Sequence, residues 1–581
     1  MTAECMLRQH LHQCPWGGQP KSSIQSSNVF QLAGHPAHSS DHRVRPHLLA
    51  GRRKITLSAK SRRLWEAIFT LAIVCYVVSQ CLGCGGGSPA GQSSELGTQA
   101  ETRGPLAAST HPNYFTDKAG NILALNGSHT WNDLQDWGSN GSPQAFDFNA
   151  YVKFLVAHGH NMTLLWTTEL PKFCSFPAIA GVSQDITVSS HPWKRTGPET
   201  ATDGRLKFDL TKFNQDYFSR LRSRVQALNT AGIYTGVYLF TGEWLNSFRC
   251  ASDGYPFTGA NNINGISDGY TSGASGTQSM TMTSVNSITV IQDAYVEKVI
   301  DTLNDLPNVL WIVSEEAPAS SIWWHQHHIA HIKSYEASKP FRHPVGFGAL
   351  VSAPDTILTN SDADWIAPTA RVSPASSCGS GNPPCKVNIN DSDHSYFGMW
   401  NDNAQQNRNY AWENFLRGNQ VVFMDPYLFE YSRENRNLCL APTHAICSAL
   451  DSRWENFRNN LGYMSKYSKK LNLASARPHN TLCSTSYCLA QTPSQGAEYL
   501  VYAPSAGSFT VDLSAMPSSR TLTVEWFDPS SGATTTGDHV PAGSPSQLFT
   551  PPFTGDAVLY LVDTAGHNTA QSNDESGSSG Q

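Results

Sequence analysis

Between about residues 111 and 472, short apolar runs alternate with stretches whose apolar residues recur every three or four positions. The runs are ILALNGSH (122–129), MTLLW (162–166), IYTGVYLF (233–240) and VLWIVSE (309–315), then PVGFGAL (344–350), WIAP (365–368), KVNIND (386–391) and VVFMDP (421–426). Nearly continuous apolar runs of this length predict strands buried on both faces. Between them, residues 148–159, 213–232, 290–306, 322–337 and 408–418 carry the helical period, and a last helix over about 452–472 ends the series. Eight strands alternating with helices predict a (β/α)8 barrel with enlarged loops. A doubly wound sheet is the alternative, and it loses ground because no Gly-rich nucleotide turn follows any strand.

The barrel domain is thus placed at 111–474. After residue 478 the period shortens to two. EYLVYAPS, SFTVDLS, TLTVEWFDPSSG and AVLYLVD are alternating segments separated by Ser, Pro and Gly, which predict a small antiparallel β-sandwich over 478–564. Residues 565–581 read as a disordered tail.

The N-terminus is made differently. The whole chain has a formal charge of −6, but residues 1–63 hold ten Lys/Arg against two acids, a net of +8, leaving −14 for the rest. No apolar period runs through 1–63, which read as a basic leader or tail that would meet anionic lipid if anything. Residues 67–78 form a twelve-residue apolar run after Arg62-Arg63, too short to span a bilayer, which needs about 20 residues. A basic flank, a short apolar core and small residues after it describe a secretory signal over 64–84, with an uncleaved anchor as the other reading. Leu82-Gly83-Cys84 resembles the end of a bacterial lipoprotein signal, which implies lipid attachment at Cys84, although Cys81 stands where Leu or Val is usual. A Gly/Ser/Ala/Thr-rich tether follows over 85–110. The expected location is therefore exported: membrane-tethered, periplasmic or extracellular.

Cysteine usage agrees with export. Beyond Cys84 there are eight, Cys174, Cys250, Cys378, Cys385, Cys439, Cys447, Cys483 and Cys488, and six fall into close pairs that read as disulfide staples. Zinc is disfavoured, because no CxxC or matching His spacing occurs. No metal or organic cofactor is expected.

Residues at the C-terminal ends of barrel strands face the mouth where such folds do chemistry. Those ends are rich in acids and aromatics: His129 and Trp131, then Trp166 and Glu169, Glu243 and Trp244, Glu315 and Glu316, Asp391, Asp393 and His394, and Asp425 with Tyr427. Opposed carboxyls amid aromatic rings suit glycoside cleavage. One carboxyl protonates the leaving oxygen while the other attacks the anomeric carbon or activates water, and aromatic faces stack on sugar rings. A gap of about 5–5.5 Å between them predicts retention of configuration, and a wider one inversion.

The run Asn308 to Pro318, NVLWIVSEEAP, resembles the fourth-strand signature of retaining barrel glycosidases, where a strand ends in Asn-Glu and the Glu is the acid/base. The resemblance implies that role for Glu316 and leaves Glu315 where the family has the Asn that binds the sugar's 2-hydroxyl. GSHTWNDLQDW (127–137) and VNINDSDHSYFGMW (387–400) resemble a bacterial apiosidase-like barrel group. EWFDPSSG (525–532) with PPFTGDAVLYLVD resembles the domain, named for collagen binding, that follows such barrels. In retaining barrels the nucleophile lies at the end of strand seven, which implies Asp393, with Asp391 as the alternative or a hydroxyl-binding residue. His129, Trp131, Trp166, Glu169, Trp244, Glu315, His394, Trp400 and Tyr427 complete the expected substrate-binding set.

Other patterns are weaker. Gly265-Ile-Ser-Asp-Gly269 fits a nucleophile elbow but lacks the strand that must precede one. His325, His327, His328 and His331 share a helix and read as a solvated face. His327 and His331 have metalloprotease spacing, but His328 stands where the catalytic Glu is needed. Trp323 and Trp324 on that helix read as packing. The expected partners are a carbohydrate and, through the N-terminus, a membrane; nucleic acid is not expected. The rival to an exported glycoside hydrolase is a non-catalytic carbohydrate- or matrix-binding protein on a decayed barrel.

Overall fold

The computed structural model describes residues 102–563 except 109–112, 131–132, 140–142, 144, 174–185, 248, 271–277, 315, 370, 372–385, 399–400, 402, 432–435, 439–451 and 492–496. The expected leader (1–63), the signal or anchor segment with Cys84, most of the tether and the tail (565–581) lie outside the described residues. So do Trp131, Glu315, Trp400, Cys174, Cys378, Cys385, Cys439 and Cys447. All that is described falls in one structural unit, Leu96–Gln581. Among the described residues no helix is long and apolar enough to cross a membrane.

Eight parallel strands close a ring in chain order: β1 (Asn126–His129), β2 (Met162–Leu165), β3 (Tyr234–Tyr238), β4 (Val309–Ile312), β5 (Val345–Gly348), β6 (Trp365–Ala367), β7 (Val387–Asp391) and β8 (Gln420–Met424). Each of the eight predicted runs supplies one strand. The first is divided, because Ile122–Leu123 pairs instead with Phe115–Thr116 in a small antiparallel sheet that also holds Ala107–Ala108. The barrel strand begins only at Asn126.

Buried amides pin the closure of the ring. β8 meets β1 in the register Val421↔Asn126 to Met424↔His129. The Asn126 side chain accepts from Val421 N at 3.1 Å, and Asn161 accepts from Asn126 N at 2.8 Å. Gln420 accepts from Leu125 N and donates to the Asn113 carbonyl. Gly127 is obligatory on steric grounds, since a β-carbon there would lie 1.9 Å from the Met162 carbonyl oxygen.

Among the described residues, six longer helices surround the strands: α1 (Phe148–Ala157), α2 (Gln215–Thr230), α3 (Ser287–Leu303), α4 (Ile322–Glu336), α5 (Ala404–Leu416) and α6 (Ser452–Lys470). Side-chain caps start four of them. Asp147, Asn214, Asn286 and Asn403 each accept a backbone N–H of the first turn, and Asn286 forms a full capping box with Thr289. On α2 the buried Tyr217, Phe218, Leu221, Val225 and Leu228 lie at helical spacing, which seats one stripe on the strands. α6 returns to the ring through Arg458, whose guanidinium binds Asp425 in two 2.7 Å bonds with both side chains fully buried.

The enlarged loop after β2 contains a long hairpin, Trp193–Thr200 with Leu206–Phe213, and its Ile186–Ser189 lies in a small antiparallel sheet between Lys172–Phe173 of the same loop and Asp136–Ser139 of the loop after β1. These strands sit before α2 and shorten it to a start at Gln215. The many exposed positions of the hairpin hid it from an apolar-run reading.

The C-terminal domain is a six-stranded antiparallel sheet of β9 (Arg477–Pro478), β10 (Cys488–Gln491), β11 (Glu498–Ala503), β13 (Thr521–Phe527), β14 (Thr534–Pro541) and β16 (Ala557–Asp563), against which β12 (Phe509–Val511) and β15 (Gln547–Phe549) pack as a second sheet. Cys483 and Cys488, predicted as a disulfide, are instead buried free thiols, hydrogen-bonded to each other through their side chains.

The sandwich docks on α5 and α6. Trp412 stacks on Tyr502 at 6.1 Å and donates to Asn460, while Arg408 holds the buried Asp556 by bonds of 2.9 and 2.6 Å. Removing one partner of a buried pair leaves an uncompensated charge, typically a cost of about 3–5 kcal/mol. Arg408→Met should lower unfolding stability by roughly that amount in urea titrations, and adding Asp556→Leu should recover most of it. Equal losses in the single and double variants would show that the pair does not couple the domains.

Candidate active site

At the C-terminal rim of the ring, β1 ends in His129 and β7 in Asp391, and β8 runs between them. His129 Nε2 stands 2.8 Å from Asp391 Oδ2, with both side chains buried. Burial alone would raise the Asp391 carboxyl, but the His129 charge and hydrogen bond and the nearby His394 outweigh it and hold Asp391 below the ordinary carboxylate range. Its other oxygen accepts from Asp393 N at 3.0 Å and so shapes the turn that carries Asp393 and His394. Asp391 is 1 % exposed and Asp393 and His394 are 8 % exposed, so the turn lifts the second acid toward the rim.

The His129 ring is stacked on Trp166 at 5.6 Å and 11°, and Trp166 packs on Tyr238 at 4.6 Å. Behind this stack, Asp133 accepts from Trp166 N at 2.7 Å. Burial pushes the Asp133 carboxyl up to about 8, against the lowering effect of that bond and of His129 and Arg224.

Across the ring, Glu316 follows β4 with φ at +51°, a left-handed conformation that a side chain with a β-carbon rarely adopts. The backbone holds it there: Glu316 N donates to Ala349 O at 2.7 Å, and Ala317–Pro318 pairs with Leu350–Val351. The turn after β7 carries a second such residue, Tyr396, with φ at +57° and a side chain 63 % exposed. Desolvation raises the Tyr396 hydroxyl, and the charges of Glu316, Asp393 and Glu243 raise it further. Acids beyond β3, β4 and β7 therefore converge electrostatically on one exposed phenol. Tyr396 was missed in the sequence, although it lies inside the HSYFGMW motif two residues after His394.

The other predicted residues are placed inside the fold. Glu169 is 2 % exposed, and its carboxylate accepts from Thr241 N at 3.1 Å, linking the segments that follow β2 and β3. Burial pushes it up to about 8, and the backbone bonds only partly offset this. Trp166 is 4 % and Trp244 2 % exposed, the latter edge-on to Phe173 at 4.0 Å. Tyr427 is 3 % exposed and packs against Tyr151 and Phe154 of α1. The histidines of α4 differ from the solvated face predicted for them: His325 and His328 are fully buried, because that side of the helix faces the core beside Phe240 and Phe347. Trp324 packs in the core as expected. Gly265–Gly269 follows a loop, with no strand leading into it.

Residues 188–367 match the family model described as "Domain of unknown function (DUF6298)". Residues 479–562 match the model described as "Putative collagen-binding domain of a collagenase". No curated protein matches the sequence. Among solved structures, a glycoside hydrolase family 5 protein from Bacteroides vulgatus ATCC 8482 is similar with a TM-score of 0.53 at 12% identity, over 80% of this chain and 93% of that one. Another, described as "Glycoside hydrolase", has a TM-score of 0.51 at 12% identity, over 80% of this chain and 99% of that one. The likeness to these enzymes is one of fold: a closed (β/α)8 barrel joined here to a C-terminal antiparallel sandwich.

Proposed function

We propose that the chain is an exported glycoside hydrolase that cleaves a poly- or oligosaccharide with retention of configuration. Glu316 protonates the leaving oxygen, Asp393 attacks the anomeric carbon, and Glu316 then takes a proton from the water that releases the glycosyl–enzyme. The observation that carries this reading is that Glu316 and Asp393 lie just beyond the C-terminal ends of β4 and β7 of a closed barrel, and the charges of both raise the Tyr396 hydroxyl. The fold likeness supports the reaction class. The strained backbone at Glu316 supports its role, since such conformations cluster at reacting groups.

Asp393 is preferred over Asp391 because Asp391 is engaged by His129 and by Asp393 N, which suits a positioning residue. Tyr396, with its exposed ring, is assigned to sugar stacking or to steering the nucleophile. Export, with a tether through Cys84 or an uncleaved anchor, rests on the N-terminal pattern alone. No step of the mechanism calls for a metal or organic cofactor.

Glu316→Gln and Asp393→Asn, tested on a panel of plant and bacterial glycans, should each lower kcat by about 100-fold or more while binding persists. Azide should restore turnover to the nucleophile variant. A wild-type protein that binds a glycan of the panel without cleaving it favours the non-catalytic reading. Full activity in Glu316→Gln removes that residue from the mechanism.

Asp133 and Glu169 are assigned to structure, since a carboxyl held protonated near neutrality and away from solvent is a poor nucleophile. Their raised pKa values have a signed consequence. The native state holds a proton on Glu169 that the unfolded chain has released, so this stabilisation is complete below the ordinary value of 4.5 and is lost as pH rises toward about 8. Between pH 5.5 and 7.5, the stability of the wild type relative to Glu169→Gln should fall by up to about 1.4 kcal/mol per pH unit in denaturant titrations. Parallel curves for the two proteins would show that Glu169 is ionised in the folded state.

A further inference from the structure

Helices α3 and α4 lie side by side outside the ring, and their facing residues form a ladder. Asp293, Glu297 and Asp301 repeat at four-residue spacing on α3, and Trp323, His327, His331 and Tyr335 repeat likewise on α4. The α4 rings stack in sequence, Trp323 on His327 at 5.1 Å and His327 on His331 at 6.1 Å.

At one rung the pairing is not one-to-one. His327 Nε2 lies 2.9 and 3.0 Å from the two oxygens of Asp293, and His328 Nδ1 approaches the same Oδ1 at 3.3 Å. His328 is fully buried between Phe240 and Trp324, with Asp293 as the contact of its Nδ1 and no hydrogen-bond partner at its Nε2. Ligand atoms of the three residues all lie within 4.8 Å of one another. Zinc bonds of about 2.0–2.2 Å in tetrahedral geometry place ligand atoms about 3.3–3.6 Å apart; the two imidazoles here approach Asp293 Oδ1 at 2.9 and 3.3 Å.

We infer that Asp293, His327 and His328 form a binding site for a divalent first-row cation of the zinc type that clips α3 to α4. Two imidazoles and one carboxylate are the donor set such ions favour. Glu297 and His331, 3.2 Å apart, form the next rung one turn along the helices. The cation would take up His328 Nδ1 and relieve two imidazoles of competing for one carboxylate. With Trp323 over one ligand and the core around another, the site is structural rather than hydrolytic. It is independent of the mechanism proposed for the barrel mouth.

The test uses the full untagged chain, stripped with chelator and titrated with Co2+ and with Zn2+. His327 and Asp293 are only partly buried, at 18% and 17% exposure, so His327→Gln and Asp293→Asn should keep the fold. Melting in chelator checks this. The wild type should bind one equivalent of Co2+ more than either variant, with visible d–d bands, and Zn2+ should raise its Tm. Both effects should be lost in His327→Gln and in Asp293→Asn. Equal stoichiometry and equal Zn2+ shifts in all three proteins, or no response in the wild type, would overturn the site.

Discussion

Closure of the strand ring is the constraint on which the rest of the molecule depends. An open sheet of eight parallel strands would leave two edges of unpaired amides, and joining β8 to β1 removes both. The join is made at one end by buried side-chain amides of Asn126, Asn161 and Gln420, which only a single register satisfies. At the other end, the same closure brings His129 and Asp391 into contact across β8, although 262 positions separate them in sequence. A one-residue slip would turn each of these side chains to the opposite face of its strand. The register that makes the barrel stable is thus the register that assembles the rim.

Once assembled, the rim divides one residue type among different tasks. Asp133 and Glu169 are buried with few compensating donors and are held protonated near neutrality. Asp391 is buried as deeply, but a histidine 2.8 Å away keeps it ionised. Glu316 and Asp393 occupy turns just beyond the strands, where the backbone of Glu316 is held in a conformation it would not choose alone. Neighbours and depth, rather than the carboxyl group itself, decide which of the buried acids is held protonated and which is held ionised.

Much of the architecture was legible because it follows from period. Eight buried runs became eight strands, and capped amphipathic stretches became the helices between them. The long hairpin 193–213 escaped because exposed strands in an insertion carry no apolar run. At the site, strand-end position pointed to Glu316, Asp391 and Asp393, but spacing does not encode depth. Trp166, Trp244 and Tyr427 look like sugar platforms by residue type, and only packing reveals that they are 2–4 % exposed. Tyr396 was hidden for the opposite reason, since its exposure comes from a left-handed turn with no sequence signature in a tyrosine. His328 was likewise misjudged, because the helical period around it is interrupted by polar residues on both faces of α4.

The packing of the sandwich bears on what that domain is for. Along β11, Tyr499 and Val501 face the small second sheet while Leu500 and Tyr502 face the barrel side, and β16 repeats the alternation with Leu559 and Leu561 against Val558 and Tyr560. Both faces of the large sheet are therefore covered over these strands, one by β12 and β15 and the other by α5 and α6. This explains why α5 is buried nearly all round, with Tyr410, Trp412 and Phe415 each without exposure. A ligand of this domain would have to use its loops or its exposed edge, β14, where Thr534, Thr535 and Thr536 are open to solvent. One face of the large sheet is thus given to the barrel along β11 and β16, and there the domain is a buttress for α5 and α6.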